Sequence, residues 1–310
     1  MGMTRYILQR LAISLVTIWV LVTVVFVLVR CLPGDPFASE KLTPEIRANM
    51  ERYYGFDQPL SVQYAKYLKN LLRGDLGMSL KYQNMPINQI IQNSFPYSAD
   101  LGIRTILFAT FTGIFLGVVA ALNRGRPLEY LCIFVAVVGI SLPDFITGSL
   151  LQYLLGQKLR LFPVALWKGF SYTVLPTFAL SFYTLAMVSR IMRTSMLDVT
   201  GQDYIRTARA KGLSPFKIVW RHQIRNAILP VVTILGPITA AILTGTFVIE
   251  SIYAIPGMGK FYVLGVQNLD YTMILSLTVF YGVFLIAANF VVDILYGFID
   301  PRIRLAGNKR

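Results

Sequence analysis

Long uncharged apolar runs alternate with short polar stretches along this chain. They occupy residues 11–29, 105–122, 174–189, 228–249 and 272–292, and a sixth, 130–156, is interrupted only by Asp144. Crossing a hydrocarbon core of ~30 Å takes about 20 helical residues. The pattern therefore predicts an all-α polytopic membrane protein with six transmembrane helices, the fourth of full length if residues 171–173 join it. The chain divides into a start and first span (1–31), an outer segment (32–98), a membrane core (99–300) containing a polar loop (190–227), and a tail (301–310). The first span is too long for a signal peptide and no A-x-A site follows it, so it is expected to remain as an anchor.

The outer segment reads as a small helical lid. Thr43 and Pro44 suit a helix start that Gly55 would end. A second helix is predicted over 61–73, with Tyr64, Leu68, Leu71 and Leu72 on one face and Gly74 closing it, and a third, short one begins at Pro86.

Composition agrees with a membrane protein: 14% of the 310 residues are charged, against about 25% in soluble domains. A formal charge of +14 would suit nucleic acid, but its distribution does not. With the amino terminus inside, the inner segments hold Arg5, Arg10, Arg124, Arg126, Arg190, Arg193, Arg206, Arg209, Lys211, Lys217, Arg221, Arg225, Arg302, Arg304, Lys309 and Arg310. The two short outer loops hold only Lys158, Arg160, Lys168 and Lys260. By the positive-inside rule both termini and the loop 190–227 face the cytoplasm. No nucleic-acid partner is implied.

Candidate chemistry is sparse. His222 is the single histidine, no metal-ligand spacing or nucleophile elbow occurs, and the chain is expected to catalyse nothing and to carry no cofactor or metal. Gly257-Met258-Gly259-Lys260 echoes the tail of a phosphate-binding loop, but Phe261 stands where Ser or Thr is needed, and its glycines read as turn formers. Cys31 and Cys132 lie at opposite faces and read as packing residues. Gly113 and Gly117 form a GxxxG pair suited to close helix contact. Asp144 follows Pro143 roughly 20 Å into the third span. A carboxylate there either faces a water-filled path, where it could meet a cationic group, or is ion-paired or snorkelled. Asp293 near the inner interface suits an ion pair. The richest stretch is 203–230, DYIRTARAKGLSPFKIVWRHQIRNAILP, in which Gly212 can end one helix, Ser214 can cap the next and Pro215 fits its first turn. It reads as helix, bend, helix.

That elbow resembles the cytoplasmic "EAA" loop of ABC importer permeases, with Arg206-Thr207-Ala208 standing where Glu-Ala-Ala would and Gly212 on the motif glycine. RTARAKGLSP, PGDPF, YGFDQPLSVQY, GDLGMS, IESIYAIPGMG and the closing DPRIR are similar to the oligopeptide, dipeptide and nickel branch, and most to the B permease subunit of oligopeptide importers. The resemblance implies a type I importer permease in a bacterial inner membrane, moving oligopeptides, with dipeptides, nickel or another small solute as alternatives. It implies a second homologous permease subunit, two ATPase subunits that bind ATP and Mg²⁺, and an extracytoplasmic substrate-binding protein. Tyr204, Arg206, Thr207, Ala208, Arg209, Lys211, Gly212, Leu213, Ser214 and Pro215 would form the ATPase-coupling loop, with Ala208 small enough for close approach. Two other readings are open: an interfacial basic loop on anionic membrane lipid, and a secondary transporter, which would need coupling carboxylates in repeated halves.

Overall fold

Helix α1 (Met3–Arg30) begins the structure, a computed structural model that describes residues 3–31, 51, 55, 57–82, 85–244 and 246–299. One face of α1, including Leu15, Trp19 and Val27, is exposed, as a lipid-facing helix requires. The other buries Val22, Phe26 and Val29 against the last helix, α12 (Tyr271–Ile299), at Ile274, Leu275 and Val279.

The outer helix α2 (Leu60–Leu72) packs Tyr64, Tyr67, Leu68 and Leu71 on this pair. Thr23 and Tyr64 share a hydroxyl hydrogen bond of 2.5 Å. Leu72, expected on the packed face, is 89% exposed. Tyr67 takes its place: the four packed residues lie within an arc of about 100° on the helix, and Leu72 falls just outside it. Gly74 closes α2 as expected, with φ +76°.

The short third outer helix does not exist as such. It begins at Ile87 but runs unbroken to Leu122 as α3, a 36-residue helix that is also the second span. Pro96 removes one backbone bond without ending it, because Ile87, Ile90, Ile91, Ser94, Ser98 and Leu101 bury one continuous stripe across the proline. The boundary drawn at residue 98 therefore cuts through a helix.

The third span is not straight either. α4 (Pro127–Ser141) and α5 (Asp144–Leu151, continued by a π-turn to Lys158) meet at 106°. Leu142 is extended before Pro143, as the residue preceding a proline prefers. α4, about 22 Å long, cannot cross alone. Among the described residues four helices are long and apolar enough to span, and up to six crossings result if each of two bent pairs counts as one.

Helix α6 (Phe170–Thr200) is the centre: 61% of its most apolar stretch is buried, against 17% for α1. It packs on α3 through the predicted glycine pair. A Cβ on Gly113 would lie 2.8 Å from the Leu185 carbonyl, and one on Gly117 2.6 Å from Met192 Cβ and the Ser189 carbonyl. The two backbones meet where only hydrogen fits.

After α6 come α7 (Asp203–Ala210), α8 (Pro215–Ala227, with a π-turn at Val219–Ile224), α9 (Leu229–Thr244), α10 (Phe247–Ile252) and α11 (Gly259–Gln267). Cys132 is buried, as a packing residue should be, whereas Cys31 is exposed at the end of α1. The Thr43–Pro44 helix start, the Asp293 side chain and the DPRIR tail lie outside the described residues.

Candidate functional site

The elbow is built by one glycine. Gly212 has φ +73°, and its N–H donates to the Arg209 carbonyl (2.9 Å) while that of Leu213 donates to Ala208 (3.3 Å). These are the two bonds of a Schellman ending, which needs a left-handed residue at this position. Leu213 completes it by packing on Ile205, Ala208 and Ile218, with Val199 at the end of α6. A small apolar hinge thus folds α7 against α8, and Gln223 of α8 donates to the Thr200 hydroxyl (2.9 Å), tying the elbow to α6.

The same packing sorts the predicted residues. Tyr204, Arg206, Thr207, Arg209 and Lys211 point away from the hinge and are exposed, as are Gly212, Ser214 and Pro215. Ala208 is buried within the hinge, so its small size admits α8 rather than an outside surface. Ser214 occupies the N-cap position, yet its side chain makes no capping bond; Pro215 fills the first turn as expected. The Arg206–Asp203 pair, 3.6 Å apart with side chains 76% and 96% exposed, adds little stability and leaves the cation available.

Sequence reasoning missed two residues of this surface. Phe216 and Trp220, 79% and 68% exposed, lie four apart on α8. An apolar i, i+4 pair inside a basic stretch was the available signal.

Asp144 is the first residue of α5 and half-buried, with no ion pair among the described residues. The structure does not bring it to the elbow. Gly148 of α5 packs beside Ala179 of α6, and the twenty-one residues from there to Thr200 are about 31 Å of helix.

A third constellation, unpredicted, joins the outer elements. The Glu250 carboxylate, buried in α10, accepts from Ser98 (2.6 Å), Thr246 (2.5 Å) and the Gly259 N–H (2.9 Å). Ser98 in turn accepts the Met258 N–H (3.0 Å). Gly257 and Gly259 are therefore not turn formers: neither has positive φ, and a Cβ on either would strike the Glu250 carboxylate. Asp270, equally buried, accepts from the Ser79 hydroxyl and from the N–H groups of Leu80 (3.1 Å) and Lys81 (3.3 Å), while its other oxygen caps α12 at Met273 (3.0 Å). Two carboxylates thus clamp the outer segment and the last outer loop onto the bundle.

Comparison with known proteins matches this architecture. The family described as "Binding-protein-dependent transport system inner membrane component" matches residues 113–305, and its amino-terminal counterpart matches residues 3–102. The chain is 47% identical over 304 residues to the dipeptide transport system permease protein DppB of Bacillus subtilis, covering 98% of this chain and 99% of that one. It is 41% identical over 305 residues to the oligopeptide transport system permease protein OppB of Haemophilus influenzae and 40% identical to OppB of Escherichia coli, covering 97% of this chain and 100% of each relative. Among solved structures, a chain of the inward-facing MetNI methionine ABC transporter aligns with TM-score 0.58 at 15% identity, over 70% of this chain and 100% of that one, a likeness of fold. With one family match that contains the elbow, a second over the amino-terminal third, and relatives at this identity over nearly the whole length, the chain belongs to the permease family of binding-protein-dependent ABC importers, multi-pass inner-membrane subunits that work with separate ATPase and substrate-binding proteins.

Proposed function

We propose that this chain is one half of the translocation path of a peptide importer and receives its power stroke through the α7–α8 elbow. The observation that carries the reading is the Schellman-bent hinge, which buries Ile205, Ala208 and Ile218 and leaves a convex cationic face of Tyr204, Arg206, Thr207, Arg209 and Lys211 free. A rigid polar knob tied to the central helix by Gln223 and Thr200 suits docking in a partner's groove, from which closure of that partner would tilt α6. ATP and Mg²⁺ belong to two ATPase subunits below; this chain holds no cofactor of its own. A second homologous permease subunit completes the path and a substrate-binding protein delivers from outside. Both termini and the elbow are cytoplasmic, in keeping with the arginine distribution.

Relatives named for oligopeptide and dipeptide transport support a peptide substrate; their names divide between the two lengths, and dipeptides are the second reading. Asp144, at a helix break in an otherwise apolar span, is the residue we assign to the path, where it would favour a cationic amino terminus. Purification of the chain from its native membrane should bring down two ATPase subunits, a second permease and a binding protein carrying peptide. A binding protein loaded with a non-peptide solute would overturn the substrate, and absence of ATPase subunits would overturn the coupling role.

A further inference from the structure

Beside the elbow's supporting helix lies a cleft to which the function proposed above assigns no role. It has a volume of about 240 Å³ and runs between α4 and α6, walled by Cys132, Ala136, Val137 and Ile140, with Arg190 and Arg193 at one end. We propose that this cleft binds one anionic phospholipid, its phosphate on Arg190 and an acyl chain along the apolar wall.

Depth is the first argument. Arg193 bonds to Glu129 in the first turn of α4 (Nε to Oε1, 2.9 Å), and the other Glu129 oxygen accepts the Gly125 N–H of the connecting turn (2.6 Å). This layer is therefore the membrane surface, with Arg124 and Arg126 exposed beside it. Arg190 lies one turn, about 4.5 Å, further in, and every residue of 174–189 before it is uncharged. A guanidinium at that level stands where lipid phosphates are.

Charge is the second. Glu129 is engaged by Arg193, whereas Arg190 is exposed and makes no ion pair among the described residues. Of the arginines at this end, 124, 126, 190 and 193, only Arg193 is bonded to the Glu129 carboxylate. An unpaired cation at the edge of hydrocarbon is costly. A phosphodiester relieves it with two parallel hydrogen bonds that the planar guanidinium is shaped to give.

Shape is the third. The cationic groups sit at one end and, apart from Ser189 next to Arg190, the rest of the wall is apolar, with Val137 55% and Ile140 42% exposed. That polarity fits an amphiphile with an anionic head and an alkyl tail. It does not fit a peptide, whose amides would be left unpaired along the wall. Basic pockets between membrane helices hold acidic headgroups on the same physical grounds. The leaflet, taken here as the inner one, rests on the orientation proposed above; the site itself does not.

The test uses the assembled permease complex, delipidated in detergent and titrated with dioleoyl phosphatidylglycerol, with bound lipid counted by native mass spectrometry. One lipid per copy of this chain should resist washing. Arg190→Gln should weaken its retention at least about tenfold, the low end for loss of a charge-assisted pair. Ile140→Trp, which fills the cleft from its exposed side and keeps every charge, should weaken it as strongly, whereas Arg126→Gln should matter less. Retention unchanged in both cleft variants overturns the proposal. So does loss in Arg190→Gln with full retention in Ile140→Trp, which would mean surface charge without a cleft. Displacement of the lipid by transported peptide would assign the cleft to the substrate and equally overturn it. Normal ATPase co-purification in each variant establishes that assembly is intact, so the lipid result is independent of the coupling role.

Discussion

Replacing Gly212 by Val isolates the shape of the elbow from its charge. Nothing lies within 4 Å of a Cβ at this position, so the variant clashes with no neighbour and acts through the backbone alone. A left-handed conformation costs an L-residue about 1–2 kcal/mol, and a β-branched side chain stands at the upper end because its χ1 is restricted. Opening the bend to escape that strain forfeits the Gly212 and Leu213 hydrogen bonds, about 1 kcal/mol each, and the Leu213 contact with the hinge. The two costs are comparable. The elbow should therefore divide between bent and opened geometries, weakening association with an ATPase groove about tenfold for each ~1.4 kcal/mol. The graded series Gly, Asn, Ala, Val should lose substrate-stimulated ATP hydrolysis in that order, since Asn tolerates the left-handed region best. Membrane insertion and pairing with the second permease should be unaffected. Wild-type hydrolysis in Gly212→Val, together with lost transport when Arg206 and Arg209 are neutralised, would refute the reasoning and favour attraction to anionic lipid, which depends on charge and hardly on shape.

Other outcomes follow from the same geometry. In a background lacking Cys31 and Cys132, cysteine at Gln63 should label from outside and at Ser214 from inside; the reverse pattern overturns the orientation. Asp144→Asn should alter which peptides are taken up according to their charge while leaving ATPase co-purification intact, and identical uptake across the set would return Asp144 to a structural role. Gly117→Leu would force side-chain atoms into the Met192 and Ser189 positions at a cost of about 1–3 kcal/mol or more, read as a lowered melting temperature in detergent. Asp270→Ala leaves the Ser79 hydroxyl and the N–H groups of Leu80 and Met273 without their acceptor, each about 1–3 kcal/mol, while the Lys81 N–H keeps the Ser79 hydroxyl; trypsin added outside should then cut faster at Arg73 and Lys81, and unchanged cutting would refute the clamp.

The spans, the glycine pair and the elbow were legible because each is specified locally. Apolar runs need only length, Gly113 and Gly117 need only their spacing, and Gly212 acts on residues within four positions of itself. Errors arose where distant residues overrule local signals. The polar composition of 32–98 suggested a short outer helix beginning at Pro86, but a buried stripe on both sides of Pro96 continues it to Leu122. Pro143 interrupts helical backbone bonding wherever it stands, but only the tertiary structure gives the bend its 106°. Ala208 was assigned outward because the motif invites a partner there, whereas its helical phase with Ile205 turns it into the hinge.

Glu250 shows why the outer clamps could not be read at all. An acidic residue closing an apolar run looks like an interfacial end, free in water. Thr246, four residues before it, is its one local partner; the others are Ser98, 152 residues away, and the Gly259 N–H nine residues on, and no short-range pattern brings those two together. Once they are in place the glycines change meaning. A carboxylate buried among apolar helices must have its oxygens satisfied, and here that requires the backbone at Gly257–Gly259 to come closer than any Cβ permits. The phosphate-loop echo in that stretch and the anion it binds thus share one physical basis, exposed backbone donors beside glycine. In this protein the anion is its own Glu250, and the loop it holds is the one that ties the long helix α3 to α10 on the outer side.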